Sequence, residues 1–464
     1  MTDLQRTISP IDGSIVAERS YASAQQVDAI LERAVAAQKL WRKFPLKERL
    51  QICEKFAQYL LENQEDIALE ITQQMGRPIS QTPSEVRTCA DRALTMVALA
   101  PEALEDIRPE PRVGFKRFIR RSPLGVVYVI APWNYPLLAA VNTVVPAIIA
   151  GNSVILKHAP QTPLSGERFA KAFETIRLPS DVFQVITVTN SDAERIIADQ
   201  RIDYVAFTGS VRTGRLVQKA AANRFIGVGL ELGGKDPAYI RADADVAFSV
   251  ENIVDGAFFN SGQSCCGIER IYAHSDVYDE FIERAAKLAT TYRLGNPLDI
   301  DVNLGPVVNK YAASVIREHL DEAIRKGARN LVPLSKVELD RPGDAYVSPR
   351  LLVDVDHSMR LMREETFGPV VGVMRVESDQ QALELMNDST YGLTASIWTK
   401  DVAAANALAE DLETGTVLLN RCDHLDPTLA WTGVKNSGRG ATLSVLGYEH
   451  VTRPKSYHFR LCDN

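Results

Sequence analysis

Cys265, Glu231 and Asn134 are the three side chains of this chain best suited to do chemistry together. Cys265 stands in Gly262-Gln263-Ser264-Cys265-Cys266, a run of small residues that suits a turn exposing a thiol. A thiol attacks an electrophile only as the thiolate, so it needs a nearby base or a field that favours the anion. A lone cysteine is more often a small buried hydrophobe. Its neighbour Cys266 argues against a structural disulfide for either. Glu231 stands before a glycine pair in Glu231-Leu232-Gly233-Gly234-Lys235 and after the apolar Gly227-Val228-Gly229-Leu230. A carboxylate desolvated there has a raised pKa, which suits a general base for water or a thiol. A cap on a following helix, or an ion pair with Lys235, is the plain alternative. Asn134, in Pro132-Trp133-Asn134-Tyr135-Pro136, offers an amide donor to a developing oxyanion, an interaction worth about 3 kcal/mol. It serves equally as a turn residue among turn formers.

The elements that would position these residues alternate. Val126–Ile130, Val154–Leu156, Val182–Val188, Tyr204–Phe207 and Phe225–Leu230 are short apolar runs of the kind shown by strands buried on both faces. Helical segments separate them, at Asn142–Ala150, Pro163–Phe173, Asp192–Asp199 and Val211–Ala222. This alternation predicts right-handed crossovers and a parallel sheet. Ligands of such sheets bind beyond the carboxyl ends of the strands. Asn134, Lys157, Gly209 and Glu231 each fall at or just after a strand end. Upstream, Ser23-Ala24-Gln25-Gln26 has capping-box spacing, and the first hundred residues read as largely helical. Gly415–Asn420 reads as a further strand. Phe115–Arg121 and the tail from Val451 to Leu461 alternate like antiparallel strands, which suggests an arm that pairs with another subunit.

Phe207-Thr208-Gly209-Ser210-Val211-Arg212-Thr213-Gly214 leaves a strand and opens a helix, where phosphates bind free backbone N–H groups. Lys157 closes another strand, poised for ribose hydroxyls or a phosphate. Glu364-Glu365-Thr366-Phe367-Gly368-Pro369 sets a carboxylate and an aromatic two residues apart, or forms a surface turn.

At 464 residues the chain exceeds one ordinary core, so two large domains are expected. Its 52 Lys+Arg against 59 Asp+Glu, with no basic run, give no nucleic-acid footprint. Six cysteines without C-x-x-C or Cys/His spacing predict free thiols, a reducing compartment and no metal. Ser122–Leu156 is free of charge, yet Pro123, Pro132, Pro136 and Pro146 interrupt it, so buried α/β core is expected rather than a membrane span. With no apolar leader at the N-terminus, a soluble cytoplasmic protein is expected.

Pro132-Trp133-Asn134, Phe207-Thr208-Gly209-Ser210, Glu231-Leu232-Gly233-Gly234-Lys235, Gly262-Gln263-x-Cys265 and Glu365-x-Phe367-Gly368-Pro369 together resemble the aldehyde dehydrogenase superfamily, in order and over nearly the whole chain. The step from Glu231 to Cys265 matches the family spacing. The resemblance implies a Rossmann-like cofactor domain (1–107 and 124–231), an α/β catalytic domain (232–440) and a small β oligomerisation arm (108–123 and 441–464). It also implies a homodimer or homotetramer, and NAD or NADP as cofactor. In that frame Cys265 attacks an aldehyde, and Asn134 with the Cys265 N–H holds the oxyanion of the thiohemiacetal. Hydride loss leaves a thioester, and Glu231 activates the water that releases the acid. Glu365 then matches the holder of the nicotinamide ribose and Phe367 lies against the ring. Trp133, Lys157, Gly209 and Ser210 match further cofactor positions.

Two departures bear on specificity. NAD-preferring members often carry a glutamate three residues after the lysine. Here Pro160 stands there, so NADP is expected to be tolerated or preferred. Succinate-semialdehyde-type members carry an arginine eight residues after the oxyanion asparagine, where this chain has Asn142. That argues against a dicarboxylic semialdehyde unless another arginine, such as Arg421, serves. Tyr135, Phe259 and Trp431 are expected to rim the aldehyde tunnel with Asn142, and Asp423 and His424 to add polarity at its mouth. An aromatic or aliphatic aldehyde is the expected substrate, with an aminoaldehyde or semialdehyde next. Rival readings are a CoA-acylating enzyme, against which Glu231 speaks, and a catalytically silent structural protein on the same fold.

Overall fold

The structure, a computed structural model, describes residues 4–333 and 339–461. A hairpin of β1 (Leu4–Ile8) and β2 (Ile15–Ser20) leads into four helices: α1 (Ala24–Trp41), α2 (Leu46–Glu62), α3 (Gln64–Met75) and α4 (Thr82–Ala103). The capping box is present. The Ser23 side chain accepts from the Gln26 N–H and the Gln26 side chain accepts from the Ser23 N–H, which satisfies two donors that a helix start otherwise leaves free.

After β3 (Phe115–Pro123) the alternating part begins: β4 (Val126–Ile130), α5 (Pro136–Ala150), β5 (Ser153–Lys157), α6 (Pro163–Thr175), β6 (Phe183–Val185), α7 (Asn190–Ala198), β7 (Tyr204–Thr208), α8 (Val211–Ala220) and β8 (Gly227–Glu231). The sheet order is β8-β7-β4-β5-β6, all parallel, with Gly438–Arg439 added antiparallel on the β8 edge. From β4 the chain builds outward through β5 to β6, then returns to add β7 and β8 on the other side. The order reverses between β4 and β7, and such a switch point opens a crevice at the carboxyl ends of its strands. The loops of Asn134 and of Gly209–Ser210 leave the sheet at that point.

The charge-free stretch becomes the end of β3, all of β4 and α5, and β5 as far as Leu156, with β4, α5 and β5 nearly all buried. Among the described residues no helix is long and apolar enough to cross a membrane. α5 starts at Pro136, six residues before the expected Asn142, because proline is pre-set for the first helical position. β6 is shorter than the apolar run 182–188. Past Val185 the chain leaves the ladder, and the Thr187 carbonyl accepts from the Ala22 N–H on the approach to α1. β8 begins two residues later than expected, since Phe225 lies exposed.

A second sheet follows, with β9 (Asp236–Ile240), α9 (Val246–Phe258) and β10 (Ile268–His274) at its heart. Its order is Arg329–Asn330, Arg350–Val353, Val370–Val376, β10, β9, Thr394–Trp398 and Thr416–Leu419. Only the first pair is antiparallel. Each large sheet carries a hydrophobic cluster on either face. The tail strand Thr452–Arg460 pairs antiparallel with β3, from Thr452 opposite Pro123 to Arg460 opposite Phe115. Phe118 stacks on Tyr457 at 4.4 Å, but most of the tail strand is exposed.

Candidate active site

Asn134, Glu231 and Cys265 line one cleft of about 580 Å³, which also takes in Trp133, Gly209, Ser210, Glu365 and Phe367. The thiol loop follows α9 and turns back through Asn260, Ser261 and Gly262 at φ +52°, +56° and +70°. Two of these are not glycine, so the reversal is strained and has to be held. Asn260 Nδ2 donates to the Asn134 carbonyl at 3.2 Å, and Ser261 Oγ donates to the Gly305 carbonyl at 2.9 Å. The Val308 N–H donates to Gln263 Oε1 at 2.7 Å. At 262 a Cβ would lie 2.3 Å from the Gly368 carbonyl oxygen, so only glycine fits. The Asn134 amide donates to the Gln263 carbonyl at 3.2 Å, which ties the oxyanion candidate to the thiol loop and leaves its second N–H for another acceptor.

The two vicinal thiols differ. Cys266 is buried and donates to Asp423 Oδ1 at 3.2 Å, an oxygen that also accepts from Ser264 Oγ at 2.6 Å. The adjacent Cys265 thiol, burial and the Asp423 charge hold Cys266 well above the ordinary thiol range. Cys266 is therefore a protonated donor, whereas Cys265 is only partly buried at the cleft.

Glu231 ends β8. Its carboxylate accepts from Thr208 Oγ1 at 3.1 Å and from Thr442 Oγ1, and Thr442 is itself paired through its backbone with Trp431. Burial raises its pKa, opposed by those two hydroxyls and by Arg92. The ion pair with Lys235 does not form. Lys235 is buried against Glu269 and donates to Thr366 Oγ1 at 3.2 Å. Glu269 in turn accepts from the Thr366 and Phe367 N–H groups, both at 2.8 Å, so this pair fixes the loop of Glu365 and Phe367.

Glu365 accepts from the Gly234 N–H at 3.1 Å, and burial, with Glu269 nearby, pushes it up to about 8. Phe367 stands edge-on to Trp133, 5.6 Å between ring centres. The glycine pair is explained by close approach. A Cβ at Gly233 would come within 2.2 Å of a Glu365 carboxyl oxygen, and one at Gly234 within 2.4 Å of the Cys265 carbonyl. We expect Gly233→Ala to displace Glu365, to cost about 1–3 kcal/mol of stability and to weaken NAD(P)+ binding. Thermal unfolding and a fluorescence titration of the cofactor check both.

Ser210 caps α8 by accepting from the Thr213 N–H, so the free N–H groups of that helix start lie at the cleft. Lys157 is placed differently from the rest. It is buried at the end of β5, beside Ile130 of β4, and lines a small separate cavity with Gln5, His158 and Glu167. No carboxylate among the described residues is within ion-pair distance of it. Glu167 is held by Arg19 at 2.6 and 2.8 Å.

Tyr135, Asn142, Phe259 and Trp431 all line the main cleft, as do Asp423 and His424. Arg421 does not. It is turned to His424 Nδ1 at 2.9 Å. Sequence reasoning missed four charged residues of the cleft: Arg77, Glu85, Arg92 and Asp255. Arg77 lies over the rings of Tyr135 (4.7 Å) and Phe259 (5.0 Å) and pairs with buried Glu85 at 2.7 Å. Arg92 donates to Asn142 Oδ1 at 3.2 Å. A signal was there: Glu85, Cys89, Arg92 and Met96 share the buried face of α4, where charges have no ordinary place. Among the described residues five cysteines are free thiols, and no group of three or more His, Cys, Asp or Glu is set to hold a metal; Cys462 lies outside them.

Residues 2–457 match the model of the aldehyde dehydrogenase family. The chain is 33% identical to a succinate-semialdehyde dehydrogenase [NADP(+)] of Deinococcus radiodurans, over 97% of this chain and 93% of that one. Among solved structures it resembles succinic semialdehyde dehydrogenase from Streptococcus pyogenes in complex with NADP+, with a TM-score of 0.93 at 27% identity over 98% and 100% of the two chains. It also resembles PnpE in complex with nicotinamide adenine dinucleotide, with a TM-score of 0.94 at 29% identity over 99% and 95%.

Proposed function

Because this chain belongs to the aldehyde dehydrogenase family and is an NAD(P)-dependent aldehyde dehydrogenase, we propose that it turns an aldehyde into the free acid through a thioester on Cys265. The observation that carries this reading is the convergence of Cys265, Asn134 and Glu231 on one cleft, with Cys266 held protonated beside the nucleophile. Cys265 thiolate adds to the carbonyl carbon. The oxyanion so formed takes the spare Asn134 N–H and the Cys265 N–H, donors that are fixed before the charge develops. Bound in the same cleft, NAD(P)+ supplies the hydride acceptor. Glu365, Phe367 and Trp133 would hold its nicotinamide end, with Ser210 and the α8 N-terminus at its phosphates. Glu231 takes a proton from the water that attacks the thioester, and the Cys265 thiolate leaves.

The presence of Glu231 separates this reading from CoA-dependent acylation, since a base for water has no use where a thiol is the acceptor. The test is stoichiometry. Purified protein, aldehyde and NADP+ without CoA should yield one carboxylic acid per 340 nm-absorbing product, and a strict need for CoA would overturn the reading.

NADP is the cofactor this reading favours. Pro160 offers no carboxylate to repel a 2′-phosphate, the nearby Glu167 is already matched by Arg19, and Lys157 has no anion of its own. A charge-assisted hydrogen bond of about 1.5–3 kcal/mol corresponds to roughly 10–100-fold. Lys157→Ala should therefore weaken NADP+ at least tenfold more than NAD+, read from the two KM values. For the substrate, Arg77 already covers the faces of Tyr135 and Phe259. One face of each ring is thus taken by a cation of the protein, which sets aminoaldehydes behind uncharged or anionic aldehydes.

A further inference from the structure

Arg92 is a buried cation without a counter-ion. It sits in the middle of α4 at 6% exposure, lines the cleft, and has no carboxylate within ion-pair distance among the described residues. Its Nη1 donates to Asn142 Oδ1 at 3.2 Å and more weakly to the Leu138 carbonyl at 3.4 Å, while its Nε is sealed from water without a partner. Arg77, entering the same cleft, is the opposite case: Glu85 matches its charge at 2.7 Å. The remaining oxygen of Glu85 accepts from the Leu137 N–H. The acids whose field reaches Arg92, Glu231 and Glu85, are thus held by other donors.

A buried charge left unpaired is costly, so one kept in the cleft is suited to an anion that enters. Asn142 is uncharged, but it orients a guanidinium brought in from the neighbouring helix. Building on the reading of Cys265 as the nucleophile in this cleft, we infer that Arg92 binds a carboxylate at the far end of the aldehyde, so that the substrate class is semialdehydes. With Nη1 anchored to Asn142 and Leu138 and Nε sealed, Nη2 is the nitrogen left to give a carboxylate oxygen a charge-assisted hydrogen bond. Arg92 acts here as a specificity residue. It takes no part in bond making.

The experiment compares succinic semialdehyde with its methyl ester, which has the same aldehyde and no charge, using wild type, Arg92→Gln and Arg92→Lys with NADP+. Wild type should favour the acid. In Arg92→Gln the ratio of the two kcat/KM values should fall by about 10–100-fold, chiefly through KM for the acid, with Arg92→Lys in between. An unchanged ratio, or an equal loss on both substrates, overturns the inference. A second measurement needs no variant: in wild type, succinate should slow alkylation of Cys265 by iodoacetamide and butyramide should not, and equal protection by the two overturns it. Oxidation of the ester but not of the acid refutes Arg92's role and leaves the Cys265 reading standing. If no aldehyde at all is oxidised, the proposed function itself fails.

Discussion

Cys265→Ala is expected to abolish aldehyde-dependent reduction of NAD(P)+, lowering kcat by about 10⁴-fold or more, the scale on which enzymes lose rate with their nucleophile. The side chain lies in the cleft and the substitution removes a single sulfur, so the fold and the NADP+ dissociation constant should stay as they are. Cys266→Ala makes the contrast. Cys266 is buried, protonated and bonded to Asp423, so its loss should disturb packing and leave most of the rate. Steady-state kinetics of both variants decide which thiol works. A rate carried by Cys266 would undo the division of labour between the pair.

Glu231→Gln should split the reaction into its halves. Without a base for water the thioester forms and then stalls. The variant should show a burst of about one reduced cofactor per active site, then a steady rate about 10³-fold below wild type, within the usual range for losing a general base. Stopped-flow absorbance at 340 nm resolves the burst. The pH dependence follows from the burial that raises Glu231. The base works only when ionised, so hydrolysis-limited turnover in wild type should climb as pH rises through this raised pKa and level off above it. In the glutamine variant that limb should disappear. The linkage to folding has the same sign: the fold favours the neutral carboxyl, so its contribution to stability is fully present below the unfolded pKa and is lost as pH rises through the folded one. Glu365, pushed up to about 8, adds to that loss at the alkaline end.

What the sequence made legible was whatever local chemistry dictates. The small residues at Cys265, the glycine pair after Glu231 and the strand-helix junction at Ser210 can be read from the chain itself, and each lies at the main cleft, although distant partners hold the first two. The parallel sheet followed as readily, since β-branched runs separated by helices have few ways to pack. Elements bent by distant partners were less legible. β6 ends early because Ala22, far upstream, takes the Thr187 carbonyl. Lys235 bypasses Glu231, four residues away, because Glu269 comes up on the next strand to meet it. The cations of the cleft were hidden for the same reason. Arg77 precedes α4 and Arg92 lies within it, in a region with no motif, and only the packing of α4 on α5 brings them to Tyr135 and Asn142. A strand end or a glycine turn advertises a site, whereas a charge on a buried helix face shows its purpose only once the helix has a neighbour.

The central claim is a thioester on Cys265, and the most direct measurement is to trap it. Glu231→Gln enzyme mixed with NADP+ and succinic semialdehyde, quenched in acid during the burst and digested, can be read by tandem mass spectrometry. The account expects a succinyl mass on Cys265, in the same amount as the reduced cofactor formed. Reduced cofactor with an unmodified Cys265, or the acyl group on Cys266, would contradict it.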